Sequence, residues 1–321
     1  MIPASREHHT LKHDHRLRIA TRGSKLALWQ AHHVRDRLQA LNPELTIELL
    51  VIKTAGDRIL DTPLAKIGGK GLFIKELEQA LLDDAADIAV HSMKDVPVEL
   101  PEALHIPTVL EREDPRDCLV APRHTHLAAM PTAAVIGTSS LRRRSQLALQ
   151  RNDLSVRDLR GNVNTRLDKL ERGDYDGIVL AAAGLRRLGF AAHITQCFEV
   201  DEMLPAIGQG IVGVECRRGD VRVETLLAPL EDVLARDALT AERALNASLQ
   251  GGCQVPIAGH ARIHGDELEI EGLVASLDGR EQIRGRRRGA RADAARMGEE
   301  LGHHLLASGA DRILRDIGLL N

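Results

Sequence analysis

The chain has 321 residues, 43% of them apolar and 28% charged, with a formal net charge of -3 at pH 7. That length exceeds the roughly 250–300 residues at which single cores stop growing, so two or three domains are expected. Near-neutral charge and few aromatics (one Trp, one Tyr, three Phe) argue against a general polyanion trap and a base-stacking platform, and the four cysteines form no Cys-x-x-Cys pair.

Residues 1–16 are polar, carry His8, His9, His13 and His15, and read as a flexible solvated tail. No apolar signal core and no run of membrane-spanning length is present, so a cytoplasmic protein is expected. Leu17–Ala20 reads as a strand, Ser24 as an N-cap, and Leu26, Trp29, Val34, Leu38 and Leu41 as one face of a helix. Thr46–Lys53 is a second strand, Phe73–Leu82 a helix, and Ile88 opens a third, buried strand. The alternation restarts with strand Val135–Gly137, helix Leu141–Gln150, strand Leu154–Asp158, helix Asn164–Glu171 and strand Gly177–Ala181. Pro107–Pro115 and Pro205–Gly213 read as seams between two α/β units with parallel sheets. A helix over Ala235–Ser248 leads into strands Gly259–Ile263, Glu267–Val274 and Gln282–Arg288 and a helix over Ala292–Leu306, a small α+β unit. Three domains are expected.

Polar and ionisable residues gather just past the strands, where ligands of open α/β sheets sit. Ser92, Lys94 and Asp95 follow the Ile88 strand. Thr138, Ser139 and Ser140 precede Arg142, Arg143 and Arg144 at a helix start. Arg160 and Arg166 flank the turn at Gly161, and Arg22 precedes Ser24. Helix N-termini with forked guanidinium groups suit a polyanionic ligand rich in carboxylates. Gly68-Gly69-Lys70-Gly71 lacks the Ser or Thr of a phosphate loop; with Lys66 and Lys70 it suits a lid over an anion, or a plain surface turn. Gly251-Gly252-Cys253 sets a thiol in a loop stripped of side chains, with room for a bulky group on sulfur. Cys118, Cys197 and Cys216 lie in or beside apolar segments and read as inert core thiols. No metal site is read from the sequence.

Together these motifs resemble the porphobilinogen deaminase (hydroxymethylbilane synthase) family. The resemblance rests on Ala20-Thr21-Arg22, Gly68 to Phe73, His91-Ser92-Met93-Lys94-Asp95-Val96-Pro97, Glu111 to Asp117, Gly137 to Arg143, Leu159 to Asn162, Gly208-Gln209-Gly210 and Gly251 to Pro256. It implies two α/β domains of periplasmic-binding-protein type around a cleft and a small C-terminal α+β domain. Domain 1 would be discontinuous (17–110 and 211–228), with domain 2 over 111–210 and domain 3, which presents the cysteine, over 229–321.

The implied reaction joins four porphobilinogen molecules head to tail with release of ammonia, then hydrolyses off the linear tetrapyrrole. A dipyrromethane cofactor would be held through a thioether on Cys253 and contacted by Ser92, Lys94, Ser139, Arg142 and Arg143. Arg22, Ser24, Lys66, Lys70, Thr138, Ser140, Arg160, Arg166 and Gln209 would bind substrate. Asp95 would be the catalytic group, steadying positive charge as ammonia leaves and shuttling protons. A monomer that binds neither nucleic acid nor membrane is expected. The main rival is a non-catalytic carboxylate-binding module of solute-binding-protein type, which would use the same arginines but would need neither Asp95 nor Cys253. The run Arg284–Arg288 reads as a solvated strand face.

Overall fold

The computed structural model describes residues 15–58, 71–252 and 255–318. Thirteen strands form three sheets among these residues. Four strands, β1 (Arg16–Arg22), β2 (Thr46–Ile52), β3 (Ile88–Ser92) and β4 (Leu104–Val109), lie in the first sheet. The second holds β5 (Asp117–Val120), β6 (Val135–Gly137), β7 (Ser155–Arg157), β8 (Gly177–Ala181) and β9 (Gln196–Cys197). The chain then returns to the first sheet as β10 (Val212–Arg217), and β11 (Ile257–His264), β12 (Glu267–Ala275) and β13 (Gln282–Ala290) make the third.

The first two sheets are topological copies. Their orders are β2-β1-β3-β10-β4 and β7-β6-β8-β5-β9, three parallel strands followed by one antiparallel strand and its edge partner. In each, the antiparallel strand is delivered by chain that has just left the other sheet, so two connections cross between the lobes. Central strands covered on both faces read as near-continuous apolar runs, as β3 and β8 do. Leu17, Ile19, Val34, Leu38, Ile88 and Val214 share one core; Leu119, Ile136, Leu147, Val179 and Phe198 share another.

Helix starts fall where the residues place them. Ser24 caps the Lys25–Leu41 helix, Ser140 the Leu141–Gln150 helix and Asn162 the Val163–Glu171 helix, each side chain accepting a backbone N–H of the first turn. Several sequence expectations shift. Arg16 belongs to β1 and not to the tail, because it pairs in register with Thr46. The helix read from Phe73 starts at Lys75. The seam read from Pro107 contains the end of β4, which tolerates Pro107 because it is an edge strand with a bulge opposite β10. The Arg284–Arg288 run is not merely solvated: on edge strand β13, Arg284 and Arg286 bond Glu271, and Arg288 bonds Glu267, across to β12.

In the third unit the Val233–Ser248 and Ala294–Leu305 helices pack against the sheet around Leu245, Leu268, Ile270, Leu301 and Leu305. They approach so closely at Gly298 that a Cβ there would sit 2.1 Å from the Ala241 carbonyl oxygen. Among the described residues no helix is long and apolar enough to cross a membrane.

The third unit is locked to both connections by Glu242, which is fully buried. Arg112 grips it through two bonds of 2.6 and 2.9 Å, and the Gly208 and Ala261 backbone N–H groups donate to it at 2.7 and 2.8 Å. Arg112 also donates to the Gln209 carbonyl at 2.9 Å. Burial alone would raise the carboxyl, but Arg112 and His260 outweigh it and hold Glu242 at about 2, below its ordinary 4.5. A depressed carboxylate stabilises the fold above its unfolded pKa, and that contribution is lost as pH falls from about 4.5 towards about 2. Arg112→Ala should therefore lower stability by about 3–5 kcal/mol at neutral pH, the penalty of stranding a buried charge. In urea titrations repeated down through that pH window the variant should lose less further stability than the parent. Equal acid sensitivity in both proteins would remove Glu242 from this role.

Candidate active site

The carboxyl ends of the parallel strands in both lobes face one cleft. β1 ends at Arg22, β3 runs into the Met93–Asp95 turn, and β6 runs into Thr138. A pocket in the first lobe is lined by Arg22, Ser24, Gln30, Phe73, Ser92 and Asp95. Arg22 stacks over the Phe73 ring at 4.2 Å and is ion-paired to Asp57, which Thr54 also bonds at 2.7 Å. Burial would raise Asp57, but the Arg22 hydrogen bond lowers it below the usual carboxylate value.

Asp117, wholly buried at the start of β5, anchors the second lobe's cations. It accepts from Arg142 at 2.6 Å, from Arg143 at 3.0 and 2.7 Å, and from Gln209 at 3.1 Å. Burial opposes its ionisation, yet Arg142 and Arg143 pull its pKa well below the carboxylate range. Arg142 further donates to the Leu204 carbonyl and Arg143 to that of Val179, each at 2.8 Å. Gln209 closes the network towards the first lobe: its amide oxygen accepts from Lys94 at 3.4 Å, and its NH2 donates to the Pro115 carbonyl at 2.6 Å.

These contacts bring Lys94, Asp95, Arg142, Arg143, Arg160 and Arg166 into mutual electrostatic range. Burial, reinforced by Arg143, pushes Lys94 down to about 8, against the pull of Asp95 and Asp117. Burial, again reinforced by Arg143, takes Arg166 down to about 10. Burial is the larger cause for both, and the added repulsion from Arg143 shows cations crowding one another here. A polycarboxylate would relieve that repulsion.

The hydroxyls divide into two kinds. Ser24, Ser140, Thr138 and Ser92 accept from Ala27 N–H, Arg143 N–H, Ser140 N–H and the Gln30 NH2 respectively. An accepting hydroxyl keeps its own proton, which leaves each of the four able to donate to a carboxylate. Ser139 both accepts from Leu159 N–H and donates to its carbonyl. Its proton is used inside the protein, where it holds the β7 exit loop. Gln209 is likewise buried and engaged at both ends, where it supports Lys94. Lys66, Lys70 and Cys253 lie outside the described residues.

The sequence reading missed three side chains. Asp57 and Asp117 stand out only once their arginines are placed against them. Arg187, ending the Ala182–Arg187 helix after β8, donates to the Gly210 carbonyl at 2.8 Å and lies 5.4 Å from the centre of the Trp29 ring. Its Nε is buried without a hydrogen-bond partner, and burial lowers its pKa against the pull of Glu113. Its signal was available: it is another basic residue following a cleft-facing strand.

Two matching lobes with a central aspartate and converging buried cations define a protein that works on polycarboxylate ligands in an interlobe cleft. The chain belongs to the porphobilinogen deaminase family: the family model described as "Porphobilinogen deaminase, dipyromethane cofactor binding domain" matches residues 17–225, and "Porphobilinogen deaminase, C-terminal domain" matches residues 237–307. It is a tetrapyrrole-forming transferase with dipyrromethane as cofactor and porphobilinogen as substrate, acting as a hydroxymethylbilane synthase. The rival reading as a non-catalytic binding module gains no support from these matches. Among solved structures, the VFT2 domain of Bordetella pertussis BvgS is 14% identical with a TM-score of 0.43, covering 72% of this chain and 93% of that one. An ABC-transporter periplasmic substrate-binding protein from Coxiella burnetii is 13% identical with a TM-score of 0.41, covering 68% and 94%.

Because Lys94 is held near 8, the site loses one positive charge as pH rises through that value. Calorimetry of the cofactor-free protein with an unreactive pyrrole dicarboxylate should show affinity falling across that pH. Lys94→Met should bind more weakly and show no such fall. The same fall in the variant would assign it to another group.

Proposed function

We propose that Asp95 is the catalytic residue and that Cys253 carries the dipyrromethane. The single observation that supports the Asp95 assignment most strongly is the convergence of cations from both lobes on it: Lys94 and Arg166 both feel Asp95, and both also feel Arg143. When bound, the dipyrromethane supplies the primer to which pyrrole units are joined, and its carboxylates suit this donor set. Lys94, Arg142 and Arg143 would hold them, with Ser92 donating its hydroxyl proton. Arg22, Arg160, Arg166 and Arg187, with Ser24, Thr138 and Ser140, would bind the acetate and propionate of incoming porphobilinogen. Lys66 and Lys70 belong to the same proposal.

Asp95 lies in a pocket walled by Phe73, Leu26 and Val90. There its carboxylate can stabilise the positive charge that develops on porphobilinogen as ammonia departs. It can pass a proton to the leaving amine and accept one from the new ring junction. Asp57 acts through Arg22, and Asp117 and Gln209 act through Arg142, Arg143 and Lys94; all three are positioning residues.

The rest of the reading is that 17–110 with 211–228, 111–210 and 229–321 act as three domains, and that the protein works as a cytoplasmic monomer without nucleic acid. The net charge of -3 and scarcity of aromatics support the last point.

Intact mass under denaturing conditions should show an excess of two linked pyrrole units, absent from Cys253→Ser. Asp95→Ala should keep that excess while turnover falls about 10²–10⁴-fold, the range for losing a general acid–base group. Near-normal turnover in Asp95→Ala would overturn its assignment. A mass excess surviving in Cys253→Ser would overturn the attachment point.

A further inference from the structure

We propose that His105, Cys216 and Glu224 form a binding site for a zinc-type divalent metal ion, at the end of the first sheet remote from the reaction centre. The imidazole, thiol and carboxylate donor atoms all lie within 4.8 Å of one another. Mixed nitrogen, sulfur and oxygen donors suit zinc, which takes three protein ligands with water in the fourth tetrahedral position.

The fold builds this arrangement from three elements. β10 passes Val212 opposite Ser92 at the cleft and Cys216 opposite Ile88 at the far end of β3. Four residues of strand at about 3.3 Å each separate the two ends by about 13 Å. On its other side Cys216 faces His105 of β4, and the register shifts between Val214 and Cys216. There Ile106 and Pro107 together oppose Glu215, a bulge that re-aims the following side chain. Glu224 comes from the Val221–Leu227 helix packed beside both strands.

The local bonding leaves coordination capacity. His105 Nε2 stands 2.9 Å from Glu224 Oε1, but the approach lacks hydrogen-bond alignment and the buried ring nitrogen has no hydrogen-bond partner. Glu224 Oε1 already accepts the Gly219 N–H at 2.9 Å. The Cys216 thiol makes only a 3.4 Å contact to the Arg217 carbonyl, weak for a sulfur donor. Metal binding would form the sulfur–metal bond as the thiol proton leaves to solvent, with no change of oxidation state. The ion would tie edge strand β4 to β10 and to the helix.

Cobalt(II) is the test probe, added to the cofactor-loaded full chain. One equivalent should produce a thiolate-to-cobalt charge-transfer band that zinc abolishes by displacement. The band should disappear in Cys216→Ser. In Glu224→Gln, which alters a partly exposed side chain and leaves the core thiol in place, cobalt affinity should fall at least about tenfold, the loss found even for outer-shell partners. Turnover of Glu224→Gln should match the parent, since the triad is remote from Asp95. Cobalt bound without a charge-transfer band would place it on oxygen and nitrogen donors such as the His8, His9, His13 and His15 segment, and would overturn the proposal. A band that persists in Cys216→Ser would assign it to another cysteine, and cobalt affinity unchanged in Glu224→Gln would remove Glu224 from the ligand set, each with the same consequence.

Discussion

The Asp117 carboxylate, sealed at the start of β5, determines where the cleft's positive charge can stand. It answers two adjacent arginines and the Gln209 amide at once. Two guanidinium groups against one carboxylate leave a surplus positive charge, and Gln209 extends the network to Lys94 of the opposite lobe. Removing Asp117 would strand two buried cations, a loss of about 3–5 kcal/mol by the usual measure of a broken buried pair. The arginines are thus fixed before any ligand arrives, and ligand binding need not order them.

The lobes depend on each other for a topological reason as well as an electrostatic one. Each sheet contains one strand that the chain enters only after leaving the other lobe, β5 in the second and β10 in the first. The two connections lie beside each other, where Arg112 of one donates to the Gln209 carbonyl of the other. Glu242 of the third unit binds both, through Arg112 and the Gly208 N–H. A movement of one lobe against the other must therefore pivot on a point that the third unit braces.

Much of this was legible in the residues because local rules and the global fold agree. Strand, cap and helix follow one another at Thr21–Lys25, Gly137–Leu141 and Asp158–Val163, and the structure keeps all three. Pattern could not reveal which polar groups have protons left to give. Ser139 and Ser140 are neighbours of like chemistry, yet one closes both its bonds on Leu159 and the other caps a helix with its proton to spare. Gln209 read as a ligand contact because it sits in a Gly-Gln-Gly loop, whereas its two ends are held by Lys94 and Asp117. Asp57 and Asp117 were invisible for a related reason: their partners are 35 and 26 residues away along the chain. Pro107 misled because proline usually ends a strand, and here it sits at a bulge on an edge.

The charge pattern also explains why the anchoring carboxylates stand behind the cations. Asp57 lies behind Arg22, and Asp117 behind Arg142 and Arg143, so each carboxylate orients its arginine from the protein side. A carboxylate on the ligand side would repel the acetate and propionate groups that porphobilinogen brings. Asp95 is the exception, and the role proposed for it would account for that: positive charge develops on the substrate as the amine departs. Lys94 and Arg166, both depressed by burial and by Arg143, surround that single carboxylate. Carboxylates bound at these cations would relieve the repulsion among them, while the developing positive charge would face Asp95. On the proposed reading the same cleft would hold a polyanion through its cations and stabilise a transient cation through one aspartate, because the two kinds of charge would meet different walls.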